Sequence, residues 1–286
     1  LGNVDLTKSS KELYNDFINV ESMFLTGIPQ NRRVAFFLDK RCNKKCEYCF
    51  VDKTDLVDDE ILYENFDKAL TKAEKLLGND KITIQLLGGE PTIWSESLTN
   101  RVLDRVHDYY NVVIFTNGTN KNSRFYQDTN LYLYTHLTDW KEHTYSDYTR
   151  EPNEVFTIVY EHGCYDELEN FLKPMSASEL SLLSIKPCFG NTRLACDEKD
   201  LEDLYNLCMK YQTSKMFVGQ YNLIKEIGID GLRKRCNSEK YVWQIDCSTN
   251  KVYPCCKYKE MYDLDTFTGT EKVTDCESCI NFANLS

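Results

Sequence analysis

The sequence predicts an α/β fold: an open, partial (β/α)6 barrel followed by a small cysteine-rich unit built on a β-hairpin. Three observations point there. Six short apolar runs of strand character alternate with amphipathic helical stretches between residues 31 and 215, the pattern of repeated βαβ units on a parallel sheet. Beyond about residue 215 the alternation stops and a hairpin signal replaces it. Most of the thirteen cysteines fall in close groups, a spacing that favours metal over a disulfide framework in a chain of this size.

Taken in order, Leu13, Phe17, Val20 and Phe24 recur at helical spacing and predict an amphipathic N-terminal helix near Lys11–Phe24. Arg33–Leu38 reads as a buried strand. Asp58 or Asp59 caps a helix with apolar residues at Leu62, Phe66, Ala69, Ala73 and Leu76, and Gly78 ends it. Lys81–Leu87, Val112–Thr116, Leu131–His136, Val155–Tyr160 and Leu182–Pro187 are the further strands. Helices are expected at Glu96–Tyr110, near Tyr165–Leu172 and at Glu198–Lys210. Six units are too few for a closed eight-stranded barrel, so an open one results. In the tail, Tyr241–Asp246 and Lys251–Pro254 flank Cys247-Ser248-Thr249-Asn250 as a hairpin. With little apolar material there, a metal is expected to stabilise it. The expected division is a helical extension over 1–30, the partial barrel over 31–215 and the cysteine-rich domain over 216–286.

Composition narrows the function. At 286 residues, 42% apolar and 28% charged, the chain is an ordinary globular protein. No apolar run approaches the roughly 20 residues a membrane helix needs. The opening LGNVDLTKSS lacks the layout of a secretory signal, so a cytoplasmic protein is expected. A net charge of −11 opposes attraction to polynucleotides. The basic cluster of Arg32, Arg33, Lys40, Arg41, Lys44 and Lys45 is read as serving an anionic site.

Two motifs carry chemistry. Cys42, Cys46 and Cys49 follow the first strand with the spacing Cys-x3-Cys-x2-Cys. Three thiolates on one loop can hold three irons of a [4Fe–4S] cluster and leave the fourth open; zinc or buried thiols are the alternatives. Leu87-Gly88-Gly89-Glu90-Pro91 ends the second strand, where paired glycines let the main chain approach a ligand closely.

In order and spacing, these motifs resemble those of the radical S-adenosylmethionine (SAM) superfamily, over roughly residues 33 to 215. The resemblance implies a radical SAM barrel whose open iron binds the amino and carboxylate groups of SAM. Gly88, Gly89, Glu90 and Pro91 would bind the methionine end, and Tyr48 would pack against adenine. Thr116-Asn117-Gly118 matches a segment often found after the third strand, and Thr135 with His136 falls where a ribose-binding residue is usual. The commoner Ser-x-Asp is absent there. The implied chemistry is reductive SAM cleavage to a 5′-deoxyadenosyl radical that abstracts hydrogen from substrate.

The tail is similar to the opening of the SPASM and twitch extensions. That implies a second, auxiliary [4Fe–4S] cluster on Cys236, Cys255, Cys276 and Cys279, with Cys247 or Cys256 as substitutes for Cys255. Those families usually have Gly where Asn250 stands, and Asn tolerates the left-handed conformation a turn requires there. One cluster, the twitch form, is expected, a zinc knuckle being the alternative. Cys164, Cys188, Cys196 and Cys208 read as core thiols, and His107, His143 and His162 as solvated. The resemblance implies a peptide or protein maturase that takes electrons from a carrier such as flavodoxin or ferredoxin. A nucleotide or other small-molecule substrate is the alternative within this chemistry, and a non-catalytic iron–sulfur or zinc protein the alternative outside it.

Overall fold

The computed structural model describes residues 32–49, 51, 57–78, 82–109, 111–180, 182–188, 193–214, 217–218, 221–222, 225–226, 242–254 and 261–271. The expected helix at 11–24 and Cys236, Cys255, Cys256, Cys276 and Cys279 lie outside the described residues.

The expected strands form, with ends displaced by a residue at most: β1 (Arg32–Asp39), β2 (Ile82–Gly88), β3 (Val112–Thr116), β4 (Tyr132–His136), β5 (Glu154–Tyr160) and β6 (Leu183–Pro187). The helices are α1 (Asp59–Leu77), α2 (Glu96–Val106), α3 (Arg124–Gln127), α4 (Tyr165–Leu172), α5 (Ala177–Leu180) and α6 (Glu198–Tyr211). Asp58 caps α1 by accepting the N–H of Glu60, and Gly78 closes it at φ 84°. Helix α2 stops at Val106, short of the expected Tyr110. Two connections are thinner than the repeat implies: α3 is a single turn, and β4 passes to β5 through two 3-10 turns.

β1 to β6 pair in parallel, each with its sequence neighbour. Side chains alternate across such strands. On the helix-bearing face Val34, Phe36, Ile84, Leu86 and Ile114 pack with Leu62, Phe66 and Leu70 of α1 and Val102 of α2. The registers place Gln85, Phe115, Tyr134, His136, Thr157 and Lys186 on the opposite face. There the rings of Phe115 and Tyr134 lie 5.2 Å apart, and Lys186 Nζ stands 5.8 Å from the Phe115 ring. Trp140 and Tyr145 sink instead into a second core with Phe156, Phe171 and Leu204, so much of the aromatic run before β5 is packing.

The tail joins this sheet. β7 (Val242–Asp246) pairs parallel to β1, and β8 (Lys251–Tyr253) and β9 (Tyr262–Asp263) follow antiparallel, giving the order β6-β5-β4-β3-β2-β1-β7-β8-β9. The hairpin forms as expected, with Asn250 at φ 56° in its turn. The expectation that it has little core is corrected. Trp243, Ile245, Val252, Leu264 and Phe267 are buried in the same cluster as β1 and α1. Their apolar side chains face α1, whose Asn65 and Lys72 bond the backbone carbonyls of Cys247 and Leu264. No helix of the described residues is long and apolar enough to cross a membrane.

Candidate metal and cofactor site

Parallel strands deliver their following loops to one sheet edge, and β1 delivers the three cysteines there. Cys42 and Cys46 are half-buried, Cys49 is exposed, and all are free thiols. The N–H of Cys49 donates to Cys46 O at 3.1 Å, closing a tight turn. The N–H of Lys44 donates to Cys42 Sγ at 3.4 Å.

The donor set, three thiols on one loop, fits a [4Fe–4S] cluster. Thiolates spread along one loop suit a group in which each meets its own iron.

The loop lies across the sheet edge and is tied to other strand ends. Asn43 donates to Thr119 Oγ1 at 2.7 Å and accepts from Asn117 Nδ2 at 2.9 Å, after β3. Asn117 Nδ2 also lies 3.9 Å from Cys42 Sγ. Tyr48 hydroxyl and His136 Nε2, at the end of β4, are 2.6 Å apart. Arg193, beyond β6, grips Glu47 with two bonds of 2.7 and 2.9 Å. Of the basic cluster, Lys40 pairs with Asp246 at 3.5 Å and Arg41 with Asp39 and Asp59.

Gly88 and Gly89 lie against the stem of the cysteine loop. A Cβ on Gly88 would fall 2.2 Å from Asp39 O, and one on Gly89 1.9 Å from Arg41 O. The bare backbone lets the end of β2 bond the stem of the cysteine loop: Gly89 N–H to Asp39 O at 2.7 Å and Glu90 N–H to Arg41 O at 2.8 Å. Glu90 is fully buried. Its Oε1 accepts from Thr92 N–H (3.0 Å), Thr92 hydroxyl (2.6 Å) and Thr116 hydroxyl (2.5 Å), and its Oε2 from Asn117 N–H (2.6 Å). Through these four donors Glu90 clamps β2 to β3. Pro91 opens a buried turn over Pro91–Ile93.

Thr135, at the position where a ribose-binding residue was expected, is turned inward. It is 1% exposed, and its hydroxyl donates to Glu154 beside Tyr126. Alternation turns Thr135 to the helix-bearing face and His136 to the site. Burial, then the Lys186 cation, pushes His136 down to about 4, so the ring is neutral. Burial, then the neighbouring Cys46, holds the Tyr48 phenol well above its ordinary range.

The remaining candidates are structural. His162 is not simply solvated: its Nδ1 meets Asp200 at 2.6 Å, and Asp200 forms the capping box of α6 with Asp197. Burial raises the thiols of Cys208 and Cys196 to about 12 and that of Cys247 well above its usual value. Cys188 is buried, its N–H bonded to Tyr160 O at 2.7 Å. Sequence reasoning missed Asn43 and Arg193, whose contacts span 74 and 146 positions. No local pattern announces them.

Known proteins resemble this chain in fold and in part of its sequence. The model of the 4Fe-4S single cluster domain matches residues 30–137. The solved structure of anSMEcpe with bound AdoMet superposes with a TM-score of 0.55 at 16% identity, covering 80% of this chain and 73% of that one. Streptococcus suis SuiB bound to S-adenosylmethionine gives 0.54 at 14% identity, covering 93% and 70%. The chain shares the fold of these two proteins, a mixed α/β sheet of mostly parallel strands. Within it, the cysteine loop and the GGEP segment occupy the ends of β1 and β2. In sequence, a stretch of 92 residues is 32% identical to the antilisterial bacteriocin subtilosin biosynthesis protein AlbA of Bacillus subtilis (strain 168). That stretch is 32% of this chain, and it spans about a fifth (19%) of AlbA.

Proposed function

We propose that this chain is a radical SAM enzyme that modifies a peptide. The observation that carries the reading is the three-thiol loop at the end of β1, tied to the ends of β3 and β4 and set over the face of Phe115, Tyr134 and His136. Peptide substrates are favoured by the company the chain keeps. AlbA is named for bacteriocin biosynthesis, SuiB has been solved with its precursor peptide SuiA, and anSMEcpe with a Cp18Cys peptide.

Cys42, Cys46 and Cys49 would hold the [4Fe–4S] cluster. Backbone groups at 88–90 and the Asn117 side chain would meet the methionine end of SAM, and Tyr48, steadied by His136, would flank the adenine. Bound together, cluster and SAM supply hydrogen-atom abstraction from an unactivated position. The protein's part is to hold substrate on the face of Phe115, Tyr134 and Lys186 and to keep water away. Cys236, Cys255, Cys276 and Cys279 are proposed to hold the auxiliary cluster, with a small electron-carrier protein as donor.

Anaerobic reconstitution tests this. About eight irons per chain are expected, the content of two [4Fe–4S] clusters. With dithionite and SAM the protein should release 5′-deoxyadenosine, and Cys49→Ala should abolish release. Equal release by that variant would overturn the cluster assignment. A precursor peptide encoded beside the gene should change in mass during turnover, and its inertness beside a reactive small molecule would overturn the peptide reading.

A further inference from the structure

We infer that Arg41 is a positioning residue for the cysteine loop, a bridge between two carboxylates that sets Cys42 against the ends of β2, α1 and α2. The inference rests on reading Cys42, Cys46 and Cys49 as cluster ligands. Asp39 ends β1 with a side chain 1% exposed. Its Oδ1 accepts the N–H of Arg41 at 3.0 Å, and its other oxygen bonds Arg41 Nε. The far side of the same guanidinium, Nη2, reaches Asp59 in the first turn of α1. Asp59 in turn accepts the hydroxyl of Ser95, the residue that caps α2. On its backbone side Arg41 accepts the N–H of Glu90 at 2.8 Å. The residue before the first cysteine therefore ties four elements together.

Charge alone does not explain this choice of residue. A buried carboxylate needs a partner, and a lysine could supply one charge. Only the planar, five-donor fork of arginine engages Asp39 on one side and Asp59 on the other. The neighbouring Lys40 is committed elsewhere, at 3.5 Å from Asp246. Both carboxylates, moreover, stand outside the set of ligands. They act on a cluster through the place they give Cys42, the role that outer partners play around metal ligands.

The test compares Arg41→Lys, Arg41→Met and Asp59→Asn in the full chain, with Arg105→Lys as a control. Arg105 joins Asp67 and Glu74 on the outer helices, away from the loop. The readouts are iron retained against a chelator, the electron paramagnetic resonance signal of the reduced cluster, and the thermal midpoint. Arg41→Lys and Asp59→Asn should keep a parental thermal midpoint, lose iron about 10-fold more readily and give a shifted or broadened signal. Arg105→Lys should leave the iron and the signal as they are. If Arg41→Met fails to fold, Arg41→Lys and Asp59→Asn decide alone. Parental retention and signal in Arg41→Lys would overturn the inference and make Arg41 a counter-charge. A parental chain that takes up no cluster would instead overturn the underlying reading of the cysteines.

Discussion

His136 joins two parts of the site through its two ring nitrogens. Nε2 lies 2.6 Å from the Tyr48 hydroxyl and Nδ1 3.2 Å from Thr157 Oγ1. Its folded-state value near 4 lies below the ordinary 6.5, through burial first and Lys186 second. Between those values the unfolded chain binds a proton that the native chain does not, so stability rises with pH across the window and is lost as pH falls through it. The thermal midpoint should therefore drop on acidification from about 6.5 towards about 4, and more steeply for the parental protein than for His136→Gln. Parallel profiles, measured by circular dichroism, would show that His136 titrates as a solvated ring. His136 was visible in the sequence as a strand-end residue. That it faces Tyr48 while Thr135 turns away depends on register, which a run such as LYLYTH leaves open by one residue.

At the scale of elements, the end of β2 and the stem after β1 behave as one unit because two glycines allow their backbones to touch. Gly88 adopts φ 157° with Asp39 O where its Cβ would be, and Gly89 has the carbonyl of Arg41 there. Gly89→Val cannot be accommodated without moving Arg41, and Cys42 with it. Iron content should fall several-fold in this variant, together with SAM binding. Full iron with weakened SAM binding would mean that Gly89 faces the ligand. The GGEP motif was legible from its residues alone, but its mechanical partner was not. Sequence shows that a backbone approach is permitted at Gly-Gly, while which chain approaches is settled by β1 and β2 lying side by side.

For the whole molecule, the consequential contact is β7 against β1. An open parallel sheet has two unpaired edges, and exposed edges invite association. The hairpin covers the β1 edge next to the cysteine loop, and Trp243 and Ile245 complete the core over α1. A chain ended before Val242 should lose that cover and those apolar contacts. Its soluble yield should fall, and aggregates should appear by size-exclusion chromatography. A monomeric truncated chain with the parental thermal midpoint would show that β1 needs no neighbour. The expected tail hairpin was right in its strands and turn, yet its attachment to the barrel sheet was not foreseen. A parallel pairing between β1 and β7 joins residues some two hundred positions apart, such as Val34 and Trp243, and leaves no local signature.

By itself, the sequence determined the local and periodic features: strand and helix positions, a cap at Asp58 or Asp59, the left-handed turn at Asn250 and the grouping of Cys42, Cys46 and Cys49. These follow from short-range sterics and from side-chain alternation over a few residues. Only the tertiary structure decided what each site residue faces. It turned Glu90 and Thr135 inward, set Tyr48 on His136, bound Arg41 between Asp39 and Asp59, and laid the hairpin along β1. Each of these depends on long-range register and on which elements become neighbours, and burial then makes any unpaired polar group costly enough to hold the arrangement.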